Sequence, residues 1–334
     1  MNNYIGEHIV TENRVSLSRN ISGYNFPHKL FSNAELTEII QLVDSVLKRI
    51  YTHNILLLDT ATEFDKQCLK IRNIATDALL ANKGTAIITN LQNNLYVFLN
   101  ELDHIRIISK KQGADVFEQF SIVNALDEEI SKNIVYAFDN KYGYLSASPA
   151  LLGTGLKVYV KFFLIATVRN NEFTRILSVI KKYGLMISNS ITSNVVSGFN
   201  YVYEITNKTC IGISEDQIIK NVRMAVDEII NIEKDERQNL LYRNTIELQD
   251  DIRRAVGILS NAKLLTYEEF VRLNSLLKIA SMLSMIKIPL KDLIKLENDV
   301  EPVNLCKVLN NFNLTGNNEE RANIVRSVIL GELK

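Results

Sequence analysis

The chain has 334 residues, of which 46% are apolar and 23% charged, ordinary values for a globular protein with one large or two modest cores. Lys+Arg and Asp+Glu both number 38, so no net charge draws the molecule to nucleic acid or to an anionic membrane. The three cysteines (Cys68, Cys210 and Cys306) are odd in number and far apart, which argues against a disulfide framework or zinc site and for a reducing cytoplasm.

The start, Met1-Asn2-Asn3-Tyr4, lacks a charged segment followed by an apolar one, so no secretory signal is expected. In 11–20, Val15 and Leu17 alternate with Arg14 and Ser16, which predicts a short strand with the polar pair on one face. Arg14 then either forms a surface ion pair or faces an anion. Ser32 and Glu35 form a capping box for a helix over 32–50, whose stripe is Leu36, Ile39, Ile40, Val43, Leu47 and Ile50. A second helix is expected over 64–81, with Cys68, Ile71, Ala75 and Leu79 inward. Ala86–Ile88 and Leu95–Leu99 flank 90–94 as a hairpin. The next eight residues, Asn100-Glu101-Leu102-Asp103-His104-Ile105-Arg106-Ile107, crowd two acids, a histidine and an arginine against an apolar run. They read either as a chemical site at a strand end or as a strand leaving the core into a charged loop.

Further on, 115–138 has helical periodicity through Val116, Phe117, Phe120, Val123, Leu126, Ile130 and Ile134. The longest apolar run, 151–168, is broken by Lys157 and Lys161 and reads as buried strand, not membrane span. Before it, Gly153-Thr154-Gly155 can bring backbone amides to a phosphate or simply turn the chain into the strand. A helix over 171–183 is closed by Gly184, and 185–191 with 200–206 makes a second hairpin. Ser214 and Gln217 cap a long helix in which Glu233–Arg237 reads as a solvated end. From Thr245 onward the pattern is helical, with Thr266 and Glu269 as another cap and helices near 290–297 and 318–333.

Taken together, these motifs resemble the phosphagen-kinase superfamily, and within it the bacterial protein-arginine kinases. The pattern Asn-Glu-Glu-Asp-His-x-Arg-Ile is met at seven of eight positions in 100–107. Arg14, Arg19-Asn20, the stretch 136–145 and Pro149 with Gly153-Thr154-Gly155 follow the family, and 250–265 matches the bacterial branch. The resemblance implies an α+β fold: a catalytic domain over 1–243, its antiparallel sheet flanked by helices, and a C-terminal helical domain for dimerisation or regulation over 244–334. It implies transfer of the ATP γ-phosphoryl group, with Mg²⁺, to a protein arginine. Arg14, Arg106, Lys157 and His104 fall on nucleotide-binding positions, although His104 reads equally as structural. No protein metal ligands are implied.

The departures gather where the family touches phosphate or guanidinium. A guanidinium is protonated at physiological pH and needs a carboxylate to orient it and take its proton. The family places that acid at Leu102, and losing a general base costs about 10²- to 10⁴-fold. Glu101 and Asp103 are the neighbouring acids, but on an extended chain they point away from the side of Leu102. Ser16 and Ser188 replace phosphate-contacting arginines, Ser148 a cysteine and Leu151 an asparagine. Lys157 keeps charge without the arginine fork. No Arg or Glu lies in 188–203, where the family carries a second orienting acid, and Asn317-Asn318 fall where it reads phosphoarginine. The expectation is a catalytically impaired pseudo-kinase, binding ATP weakly or not at all, with a regulatory or scaffold role in protein quality control. Its expected partners are a second copy, an active paralogue or a chaperone–protease system, without nucleic acid or membrane. The alternatives are an active kinase using Glu101 or Asp103, and a nucleotide-binding module without transfer.

Overall fold

The computed structural model describes residues 7–29, 33–71, 74–75, 79–80, 83–89, 94–113, 115–189, 201–243 and 245–332. Among these, eight strands form one antiparallel sheet: β1 (Val10–Arg19), β2 (Asn54–Leu57), β3 (Ala86–Thr89), β4 (Leu95–Leu99), β5 (Ile105–Lys111), β8 (Leu156–Phe163), β9 (Leu185–Asn189) and β10 (Val202–Asn207). Their order is β2-β3-β4-β5-β1-β8-β10-β9, with a separate two-stranded ribbon of β6 (Phe138–Asp139) and β7 (Gly143–Tyr144). Both expected hairpins form, as β3–β4 and β9–β10. Ser32 and residues 90–93 and 190–200, the last holding most of the segment without Arg or Glu, lie outside the described residues.

Period-two alternation gives the sheet two unlike faces. Val15, Leu17, Ile105, Ile107, Val158, Val160 and Ile205 are fully buried on one face. They meet the apolar sides of α1 (Asn33–Leu47), α3 (Val116–Ser131), α5 (Phe173–Lys182) and α6 (Glu215–Arg243) in a continuous core. The other face carries polar side chains at its centre. At the β3–β5 end it is covered by α2 (Glu63–Ile71) and the following residues, through Leu58, Leu69, Ala75 and Leu79.

A second core is helical. It is built from α7 (Thr245–Asn261), α8 (Tyr267–Met282), α9 (Leu290–Asp299) and α11 (Asn318–Glu332), while α10 (Pro302–Leu309) packs against α2. Phe163, Ile165 and Ala166, at and just beyond the end of β8, also enter this core. No helix of the described residues is long and apolar enough to cross a membrane.

Three sequence expectations are corrected. The helix from 64 ends at Ile71, where the amides of Ile74 and Ala75 bend back to the Leu69 carbonyl and the chain drops onto the sheet. The helix from 115 ends at Ser131 because the chain beyond is captured by the end of β1: Ile21 bridges Tyr136, and Ala137 N–H donates to Asn20 O at 2.8 Å. The charged stretch Glu233–Arg237 is no solvated end. Glu233 and Arg237 are both fully buried, and Glu233 accepts from the amides of Ala166 and Thr167 at the start of α4 (Ile165–Arg169). A mixed pattern of charges cannot reveal that this part of α6 is wedged between two cores.

The Gly-Thr-Gly segment is a packing turn. Gly153 N–H donates to Tyr144 O at 3.2 Å and Thr154 N–H to Cys210 O at 3.0 Å, so those two amides face protein. Gly153 has φ +111°, and a Cβ there would lie 2.3 Å from the Cys210 carbonyl oxygen. Gly153→Ala is therefore expected to lower stability by ~1–3 kcal/mol, read as a lower urea midpoint. An unchanged midpoint would show that the 208–212 loop gives way freely.

Candidate functional site

The polar face is assembled by register. Across the strands, Arg14 stands opposite Lys110 and Tyr159, Ser16 opposite Ile108 and Lys157, and Ser18 opposite Arg106. Glu12 and Glu204 are both paired with Lys161, and Glu204 also with Ser188. Three of the four nucleotide candidates, Arg14, Arg106 and Lys157, thus share one face, as do both serines at arginine positions.

Each cation on this face meets the chain's own oxygen or ring atoms. Arg106 Nε lies 2.5 Å from a Glu101 carboxylate oxygen, close but without the angle of a good hydrogen bond, and its guanidinium covers the Phe98 ring at 4.7 Å. Arg14 stacks over Tyr159 at 4.1 Å and is 3.9 Å from Glu204. Glu12 bridges Lys110 at 2.8 Å and Lys161 at 3.1 Å. Lys157 is only 7% exposed, and its ammonium donates to the carbonyls of Asn207 at 2.8 Å and Lys208 at 3.5 Å. Burial pushes the Glu101 carboxyl above its usual range, against the pull of Arg106. Burial likewise lowers the Arg106 guanidinium, with Glu101 opposing.

The stretch 100–107 is extended only from Ile105, where β5 begins. Asn100 N–H donates to His104 O and Glu101 N–H to Asp103 O, which folds 100–104 into a turn between β4 and β5, with Asn100 at φ +57°. Alternation therefore does not carry through this segment. Leu102 projects at the turn, 49% exposed. Glu101 leans over the polar face to Arg106. Asp103 is buried and accepts from Asn20 Nδ2 (2.7 Å), Ser146 Oγ (2.7 Å) and Ala147 N–H (2.8 Å), so it pins three segments. His104 is fully buried and does not share the side of Arg106. Its Nδ1 accepts from Ile21 N–H at 3.0 Å, which leaves Nε2–H to donate to Asn25 O at 2.8 Å. Burial lowers its pKa, with Asn25 and Asp103 opposing, so both ring nitrogens serve the fold.

Reading the sequence missed Glu12, Lys110, Lys161 and Glu204. The available signal was the alternation of Glu12 with Arg14 and Ser16 on β1; what was lacking was register, which brings strands distant in sequence together. A cavity of about 960 Å³ opens beside Glu12, Lys110 and Lys161, between α2 and the C-terminal helices, with Tyr96, Tyr267 and Arg321 in its wall. Among the described residues, no group of three or more His, Cys, Asp or Glu could hold a metal ion. In the family a nucleotide polyphosphate would meet Arg14, Arg106 and Lys157. Here Glu204, Glu101 and two backbone carbonyls already engage those cations, so the residues present fit that group poorly.

An eight-stranded antiparallel sheet with one polar face and helices behind is the fold of the phosphagen kinases. Lombricine kinase superposes with a TM-score of 0.58 at 23% identity, over 68% of this chain and 66% of that one. The substrate-free duplicated taurocyamine kinase from Schistosoma mansoni gives 0.58 at 23% identity over 68% of this chain, which spans about a third (32%) of that longer protein. The family model for the ATP:guanido phosphotransferase C-terminal catalytic domain matches residues 36–236. A protein-arginine kinase of Clostridium tetani is 31% identical over 325 residues, 93% of each chain. Another, of Clostridium botulinum, is 30% identical over 342 residues, 98% of this chain and 99% of that one. The chain belongs to the ATP:guanido phosphotransferase family, among relatives named protein-arginine kinases.

Proposed function

We propose that this chain is a catalytically silent protein-arginine-kinase relative that acts through association in cytoplasmic protein quality control. The observation that carries the reading is the state of the acids around position 102. Leu102 can neither accept a proton nor orient a guanidinium. Asp103 is saturated by three donors, and Glu101 is held by Arg106. Phosphoryl transfer depends almost wholly on positioning and electrostatic clamping. With Ser16 and Ser188 at arginine positions and Lys157 turned into backbone carbonyls, the clamp is dismantled together with the base.

Two domains, 1–243 and 244–334, belong to this reading, the second serving association. Ile258, Leu264 and Leu330 stand 39%, 68% and 44% exposed on or just after α7 and on α11, which suits contact with a second copy or an active relative. The test is incubation with Mg-ATP and an arginine-rich protein, with phosphoarginine read by mass spectrometry at neutral pH. No product is expected from the unaltered protein. Leu102→Glu alone is expected to stay near background, because the base returns to a site without its phosphate arginines. Addition of Ser16→Arg and Ser188→Arg is expected to raise turnover. Phosphoarginine made by the unaltered protein at a rate well above the background without protein, and lost in Glu101→Gln or Asp103→Asn, would sink this reading in favour of an active kinase.

A further inference from the structure

The polar face carries five cations, Arg14, Arg106, Lys110, Lys157 and Lys161, against three carboxylates, Glu204, Glu101 and Glu12. The excess is two positive charges, and one of them, the Lys157 ammonium, is turned into the carbonyls of Asn207 and Lys208, so little is left to attract a polyanion. The three carboxylates are not equivalent. Glu204 lies 3.9 Å from one cation, Arg14, and Glu101 reaches one, Arg106, from a turn. Glu12 is the one bound twice. It lies within β1 and binds two lysines that reach it from strands on either side, β5 and β8. Burial opposes its ionisation, yet Lys161 and Lys110 outweigh burial and hold its carboxyl below the ordinary range. The lysines that a phosphate chain would recruit are thus already bound by an anion of the chain itself, at the edge of the 960 Å³ cavity.

We propose that Glu12 is a built-in anion that occupies the open sheet face between Lys110 and Lys161 and keeps polyphosphate chains off it. The proposal rests on the catalytically silent reading and extends it: the face is silent by occupation as well as by loss of residues. A polyphosphate approaching the lysines must sit beside the Glu12 carboxylate or displace it. A glutamate two residues before Arg14 on an alternating strand projects to the same side as that arginine, so a single side chain alters what the whole face admits. Its role is to set specificity, and it needs no contact with any reacting atom.

The test is calorimetric titration of the full chain with sodium tripolyphosphate, free of Mg²⁺, at low and high salt. The comparison is between the unaltered protein and Glu12→Gln, which keeps shape and removes charge. Glu12→Gln is expected to bind about tenfold tighter or more, with affinity falling as salt rises. Adding Lys161→Gln to that variant is expected to cancel the gain. Glu12→Ser, which removes the carboxylate and leaves a small hydroxyl, gives a second route should glutamine leave the protein unfolded by circular dichroism. Equal affinity of the unaltered protein and either folded variant, whether strong or undetectable, would overturn the proposal. A gain that survives Lys161→Gln would overturn it too, because the lysines would not be the released site. The phosphoarginine assay reports separately: product from the unaltered protein ends the silent-kinase reading, while tripolyphosphate affinity alone decides the part played by Glu12.

Discussion

Arg237→Ala is expected to destabilise the protein by ~3–5 kcal/mol, the loss usual when one partner of a buried ion pair is removed. Arg237 has no exposed surface. Its Nε donates to Glu233 at 2.9 Å, and its other nitrogens reach Glu7 O at 2.7 Å, Met282 Sδ at 3.0 Å and Phe163 O at 3.3 Å. Glu233 in turn accepts from Ala166 N–H at 3.1 Å, Thr167 N–H at 2.9 Å and Thr167 Oγ1 at 2.6 Å. The pair therefore ties α6 to the end of β8, to the start of α4 and to the helical core. Alanine would leave the Glu233 carboxylate buried with amide and hydroxyl donors but no counter-charge, and would open a void beside Phe163. Urea unfolding followed by circular dichroism measures the loss. Arg254→Ala is the control, since Arg254 pairs with Asp250 on the surface, where both side chains are more than half exposed, and its midpoint should not move. If Arg237→Ala and Arg254→Ala unfold at the same urea concentration, the buried pair does not hold the two cores together. Arg237→Met distinguishes charge from packing, because it refills the void and still strands Glu233.

Much of the fold was legible because local rules agree with the tertiary result. On β1 the buried Val15 and Leu17 alternate with Glu12, Arg14 and Ser16 as a strand requires. The caps at Ser214 and Thr266 accept from Gln217 N–H and Glu269 N–H as their spacing implies. The polar face was half legible. Arg14, Arg106 and Lys157 do share it, but Glu204 and the Asn207 carbonyl are brought to them by cross-strand register, which has no local signature, and Glu101 reaches Arg106 from the turn at 100–104. The stretch 100–107 misled for a specific reason. Alternation was carried through residues that form a turn, and the two internal hydrogen bonds of that turn send Asp103 and His104 into the core while Glu101 stays on the face. Mixed charge in Glu233–Arg237 misled in the opposite sense, because burial of a matched pair looks like solvation when only composition is seen.

Acid should expose the same junction through His8. His8 packs at 5.9 Å from the Phe163 ring, and Lys278 Nζ lies 3.4 Å from its Nε2. Burial first, then the charges of Lys278 and Arg237, lower its pKa from 6.5 to about 3. A lowered histidine stays neutral in the fold, whereas the unfolded chain takes up a proton below pH 6.5. Stability is therefore retained above pH 6.5, falls as pH drops below it, and stops falling from this source near pH 3. At about 1.4 kcal/mol per pH unit the His8 share reaches ~2 kcal/mol by pH 5 and ~3 kcal/mol by pH 4. His104, also lowered by burial, adds loss in the same direction. Glu101 and Glu215, both raised by burial, act the other way, since the folded state holds their protons more readily as pH falls. The difference between the unaltered protein and His8→Gln isolates the one group, because every other titration is common to both. Urea midpoints at pH 7.5, 6, 5 and 4 should converge for the two proteins as acid is added, glutamine having no proton to gain. Parallel midpoint curves across that range would mean that His8 takes its proton in the folded state as readily as in the unfolded one, and that water reaches the Lys278–Arg237 junction.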